Sequence, residues 1–87
     1  MLERLLRRSP HEPLLHCALG EVLADAGRLD AADAALKRAV YLDPKLERAL
    51  IRLSIIAEAL GRTEAAARWR ARALAAHLAE GGADARG

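Results

Sequence analysis

Displaced by 34 residues, this sequence falls on itself. Leu19 lands on Leu53, Gly27 on Gly61, Arg28 on Arg62, Ala31 on Ala65, Ala32 on Ala66 and Ala39 on Ala73. In the other direction Pro44 lands on Pro10 and Leu36 on Leu2. Alanine coincidences come cheaply in an Ala-rich chain. Those of glycine and proline do not, because each marks a backbone position that other residues enter at a cost. A period of this length belongs to stacked units, each too small to bury its own apolar face. The 87 residues hold about two such units and part of a third.

Composition says what the units are made of. Apolar residues are 53% of the chain but aromatics only 2%, with no Phe. Much of the apolar share is Ala, which enters a helix without losing side-chain entropy. β-branched residues are few and no run alternates, so strands are not expected and the class is all-α. The formal net charge is +2 and the pI about 9.2. Arg7–Arg8 and Arg68/Arg70/Arg72 are the basic clusters. A surface that tracks phosphates wants a larger excess with rings for stacking, so nucleic acid is not an expected partner.

Helix boundaries follow the same register. Pro13 suits a first helical turn, where its missing N–H has no partner to lose. That helix is predicted to run to about Ala26, with Leu15, Leu19 and Leu23 on one stripe and Cys17 on another face. Gly27 then supplies a left-handed terminator. Asp30 is the expected N-cap of the next helix and Asp33 a favourable charge near its start. Ala32, Leu36, Ala39 and Val40 are its expected inward face, and Asp43-Pro44 its end. A third helix begins near Leu46, using Leu50, Leu53, Ala57 and Leu60 before Gly61. Thr63 is the expected cap of a fourth, with Ala66, Trp69, Ala73 and His77 inward. Leu2–Arg8 reads as one further, preceding helix, and the Gly- and Ala-rich residues 81–87 as a disordered tail.

Leu19-Gly20, Ala32, Leu36, Ala39 and Pro44, with Gly27 at the inter-helix turn, resemble the tetratricopeptide repeat (TPR) family pattern W-x2-L-G-x2-Y, A-x3-F, P. His16 and Leu23 stand where that pattern has Trp and Tyr. In the following unit Leu53, Gly61, Ala66 and Ala73 fit, while Ser54, Ala57, Arg70 and Leu78 depart from it. The resemblance implies an all-α, right-handed alpha-alpha superhelix of helical hairpins. Residues 13–46 form one repeat, 47–80 a terminal repeat, and 2–8 a half-repeat helix. Terminal units of solenoids turn one face to water, which accounts for Arg70 at an apolar position. Gly20 and Ala32 are expected where the two helices of a hairpin cross, and Ala39 where one hairpin meets the next.

Chemistry is sparse. His11, His16 and His77 are too scattered for a metal site, and Cys17 is the only cysteine, so no intrachain disulfide can form. His16 and Cys17, adjacent on a helix, point about 100° apart and cannot act as a catalytic pair. A groove or core thiol and a semi-buried imidazole are the plain reading. Asp30 and Asp33 serve a helix start rather than acid–base work, and no glycine-rich phosphate loop follows a strand. No enzyme activity, cofactor or metal is expected. Residues 1–10 lack the apolar core of a signal peptide, and no apolar run approaches the roughly 20 residues of a membrane span. A cytoplasmic protein is expected.

Function then falls to a surface. The resemblance implies that the first helix of each hairpin lines a concave groove. It places Leu14, Cys17, Glu21 and Ala24 in one row and Arg48, Ile51, Arg52, Ile55 and Glu58 in the next. Ile51 and Ile55 lie off the Leu50/Leu53 stripe, and helical spacing alone does not separate groove residues from helix-packing ones. Arg48 and Arg52 resemble half of a carboxylate clamp used by some TPR proteins. The other half is replaced by Cys17 and Glu21, whose charge would repel a visiting carboxylate; a solvated charge pair is the competing reading.

These features imply a protein- or peptide-binding module, a fragment or regulatory segment of a larger protein. Self-association is the alternative, since fewer than three units leave apolar ends exposed. Ala39-Val40-Tyr41-Leu42-Asp43-Pro44, Ala49-Leu50 and the Ala/Arg-rich stretch 65–73 also resemble the TPR tail of bacterial CheR-like chemoreceptor methyltransferases. There the tail regulates a separate catalytic domain.

Overall fold

A computed structural model describes the backbone of residues 1–86 and the side chains of residues 1–80. It contains five helices: α1 (Leu2–Arg8), α2 (Pro13–Asp25), α3 (Leu29–Leu42), α4 (Glu47–Ala59) and α5 (Thr63–Arg86). No strand occurs among the described residues. α2 packs mainly on α3 and α4 on α5, so each predicted unit is a helical hairpin. α3 meets α4 at the junction between hairpins, and α1 lies lightly against α2. Residues 81–86, expected with Gly87 to be a disordered tail, continue the backbone of α5; their side chains and Gly87 lie outside the described residues.

The glycine coincidence has a backbone cause. Gly27 has φ 80° and Gly61 φ 78°, values that favour a residue without Cβ. At the end of α2 the Arg28 N–H donates to the Leu23 carbonyl at 2.9 Å and the Gly27 N–H to Ala24 at 2.9 Å. At the end of α4 the Arg62 N–H donates to Ala57 at 2.8 Å and the Gly61 N–H to Glu58 at 3.0 Å. Both are Schellman caps, which use otherwise orphaned carbonyls to stop a helix.

The same turns correct two expected caps. Arg28, not Asp30, is the N-cap of α3: its carbonyl accepts from Ala32 at 2.9 Å, and no side chain caps that end. Arg62 stands ahead of α5 in the same way, accepting from Ala66 at 2.9 Å, so Thr63 is the first helical residue rather than the cap. Each arginine closes one helix through its N–H and opens the next through its carbonyl. That leaves no spare residue for a side-chain cap. Asp30 falls in the first turn of α3, still favourable to the positive helix end.

Ala32, Leu36, Ala39, Val40, Ala49, Leu50, Leu53, Ile56, Ala57, Ala66 and Ala73 form the buried core with Cys17. The inward faces expected for α3 and α4 are therefore the faces that pack. α2 differs, because Leu15, Leu19 and Leu23 are only half-buried while Cys17 and Gly20 are fully covered. α3 and α4 both approach α2 on the Cys17/Gly20 side, and only short α1 reaches the other. On α5 the inward series is 66, 69, 73 and 76; Ala76 is buried. His77, expected inward, is exposed and its Nδ1 lies 2.9 Å from Glu47 Oε1. The inward step from Ala73 is three residues, which leaves His77 one position past the packed stripe.

Gly20 sets the closeness of the first hairpin. A Cβ there would stand 2.5 Å from Leu36 Cγ and 3.3 Å from the Ala32 carbonyl oxygen. In the second hairpin the 34-residue register puts Ser54 at that place and Arg70 opposite it. Arg70 turns to solvent and reaches Glu58 at 3.0 Å, leaving room for a buried Ser54 whose Oγ donates to the Ile51 carbonyl at 2.6 Å. Glycine faces leucine in one repeat, and serine faces arginine in the next.

Candidate partner-binding face

The first helices of the two hairpins, α2 and α4, meet along one line of side chains. At its centre lies Glu21, whose side chain is 13% exposed. Arg48 Nε donates to Glu21 Oε2 at 2.9 Å, and Arg48 Nη2 donates to Oε1. Arg52 Nε donates to the same Oε2 at 3.1 Å. The two arginines do form a carboxylate clamp, but the carboxylate is the protein's own. The hydrogen bond from Arg48 is the main cause holding the Glu21 carboxyl below its ordinary value; burial works against it. The sequence brings all three residues to one face and makes Glu21 a repeller of visiting acids. The geometry makes it the occupant.

Cys17, expected in the groove row, has no exposed surface and joins the core instead. It lies one turn before Glu21. Burial pushes its thiol up, and the Glu21 charge adds to that; Arg48 and Arg52 partly oppose it. Such a thiol is a poor nucleophile, since the thiolate is the reactive form. Ala24 packs half-buried against the core. The other predicted residues reach solvent: Leu14 is 54% exposed, Ile51 45% and Ile55 54%. Glu58 is exposed and paired with Arg70, which the sequence marks only as an end-cap residue.

Two further charge groupings lie on α3 and α5. Asp33, expected as a helix-start charge, is buried and holds Lys37 Nζ at 2.9 Å, with Arg62 3.9 Å away. Between α3 and α5, Lys37, Ala65, Arg68, Trp69 and Arg72 line a shallow cavity. The Arg72 guanidinium lies 5.0 Å from the centroid of the Trp69 ring. The basic cluster of α5 thus divides, with Arg72 on the ring and Arg70 directed to Glu58. The i,i+3 spacing of Trp69 and Arg72 is the available signal. Among the described residues no helix is long and apolar enough to cross a membrane.

Antiparallel hairpins repeating every 34 residues, closed by paired Schellman caps, define an all-α, TPR-like helical array. Residues 14–46, covering the first full hairpin and the link to α4, match a family model described as tetratricopeptide repeat. A crystal structure of MamA has the same fold, with a TM-score of 0.90 over 93% of this chain at 21% sequence identity. This chain spans 47% of that MamA chain, less than half its length. No curated protein matches the sequence. Arrays of TPR type generally mediate contacts between proteins. The finer likeness to methyltransferase tails finds no support in either match.

Proposed function

We propose that this chain is a non-catalytic protein-interaction module that receives a partner segment on the α2–α4 face. The observation that carries the reading is the composition of that face. Leu14, Ile51 and Ile55 stand exposed on the helices joined by a clamp whose two arginines already hold Glu21. Apolar side chains beside a cluster in which Glu21 already occupies the Arg48 fork and the Arg52 Nε favour an amphipathic protein segment over a free carboxylate. The Glu21 clamp is then a scaffold that fixes α2 against α4, and specificity comes from the apolar positions beside it.

The test places a photo-crosslinking residue at Ile51 and, as a control, at the exposed Ala34 of α3. Adducts to other proteins are expected at Ile51 and not at Ala34. Equal yields at the two sites, or adducts at Ala34 alone, would refute the assignment of the face.

A further inference from the structure

The junction between the two hairpins is a template for what covers their outer ends. There, Glu21 of α2 is held by Arg48 and Arg52 of α4, while Val40 of α3 and Ile56 of α4 share one buried cluster. The 34-residue register carries each of these residues to an outer surface. Going forward, Cys17 becomes Ile51, Glu21 becomes Ile55 and Val40 becomes Leu74. Going back, Arg48 and Arg52 become Leu14 and Ala18, and Ile56 becomes Val22. Like the isoleucines and Leu14, Leu74 and Val22 are open to solvent, both at 58%.

The change is coordinated at the two ends. Where the inner junction joins one acid to two arginines, one outer end offers Ile55 and the other offers Leu14 and Ala18. Neither end keeps half of the ion clamp, which would oppose burial if left unpaired. Each end is apolar at the positions where the other is apolar, so they complement one another as the inner surfaces do.

We propose that these two ends form a single interface between copies of this chain. The α4–α5 end of one copy stacks on the α2 face of the next by the operation that relates the two hairpins. The contacts at these positions are apolar throughout: Ile55 meets Leu14 and Ala18, and Leu74 meets Val22. α1 occupies part of the accepting face, with Leu2 and Leu6 in register with Leu36 and Val40. It buries no residue of its own, and the incoming α5 displaces it. Because the two ends differ, the contact is heterologous and yields an open series of assemblies instead of a closed dimer.

The experiment is sedimentation velocity on the full chain across a concentration series. Average mass is expected to climb past two chains. Ile55→Glu, and separately Leu14→Arg with Ala18→Arg, should each weaken association by about a hundredfold, as for a buried charge left unpaired. All three sites are at least partly exposed, and circular dichroism checks that helicity is kept; Leu14→Arg alone replaces the double variant if it is not. An equimolar mixture of the two variants should associate again: Ile55 of the arginine variant meets the unaltered Leu14 and Ala18 of the glutamate variant, and the introduced glutamate meeting the introduced arginines carries the assembly past two chains. A wild-type mass of one chain throughout, a plateau at two chains, or a mixture that stays monomeric would each overturn the proposal. The inference shares the α2–α4 face with the partner reading above, and the two fail separately. Crosslinks from Ile51 only to a second copy would remove the foreign partner and leave the stacking, whereas a strictly monomeric chain with foreign adducts would do the reverse.

Discussion

Replacing Gly20 with Ala sets two effects of opposite sign against each other. Gly→Ala in a helix interior gains about 1 kcal/mol from reduced backbone entropy loss. The new Cβ, however, would lie 2.5 Å from Leu36 Cγ, well inside the 3.5–4.0 Å at which carbons attract, as a rough guide. Leu36 has no exposed surface, and its Cγ is a branch point one bond beyond Cβ rather than a flexible chain end, so it cannot swing clear. The Ala32 carbonyl closes the other side. Overpacking of this kind costs about 1–3 kcal/mol. The packing effect should win, with a net loss centred near 1 kcal/mol and a melting temperature lower by about 4–8 °C for a domain of this size. Urea denaturation followed by circular dichroism measures it. The Leu36→Ala background isolates the cause: that change alone should cost about 2–5 kcal/mol. With the clash gone, Gly20→Ala should then turn stabilising by about 1 kcal/mol, and the cycle gives the coupling. If Gly20→Ala stabilises the protein in both backgrounds, the close crossing of α2 and α3 is not what the glycine is for.

The remaining predictions concern the turns and the clamp. Gly27→Ala meets nothing within 4 Å, so its cost is purely that of φ 80° for an L-residue, about 1–2 kcal/mol by urea titration; Gly27→Asn should cost less, and equal losses would argue against a backbone origin. Glu21 has a lowered pKa, so its contribution is present above the ordinary 4.5 of a glutamate and is lost as pH falls through the lower folded value. Wild type should accordingly exceed Glu21→Gln in stability by a constant margin at neutral pH, with the margin vanishing on acidification below that value; a pH-independent margin would count against the ionised clamp. Cys17 should resist iodoacetamide in native buffer and react fully in urea, and rapid stoichiometric labelling of the folded protein would show that the thiol is not sealed.

Several elements are legible in the sequence alone. The start of α2 and the ends of α2 and α4 can be read because Pro13, Gly27 and Gly61 impose backbone geometry locally, whatever surrounds them. The inward faces of α3 and α4 follow from helical spacing. Asp30 and Thr63 mislead as caps because side-chain preference points to them, whereas the short turns use Arg28 and Arg62 for both helix ends at once. Among the site residues, Glu21, Arg48 and Arg52 are marked by their positions, but their union depends on how two helices cross. Cys17 reads as a groove residue for the same reason: position on a helix face does not state which neighbour covers it.

What the sequence determined by itself is the repeat: its length, its turns and its helical class, all consequences of short-range stereochemistry and periodic burial. Only the tertiary structure decided that α3 and α4 approach α2 from the Cys17/Gly20 side, so that the leucine stripe is left half-covered. It alone decided that two arginines of one repeat close on a glutamate of the previous one, and that the apolar equivalents of these groups remain open at the ends. Contacts of this kind join residues 27 and 31 positions apart, and no local rule of helix or turn reaches that far.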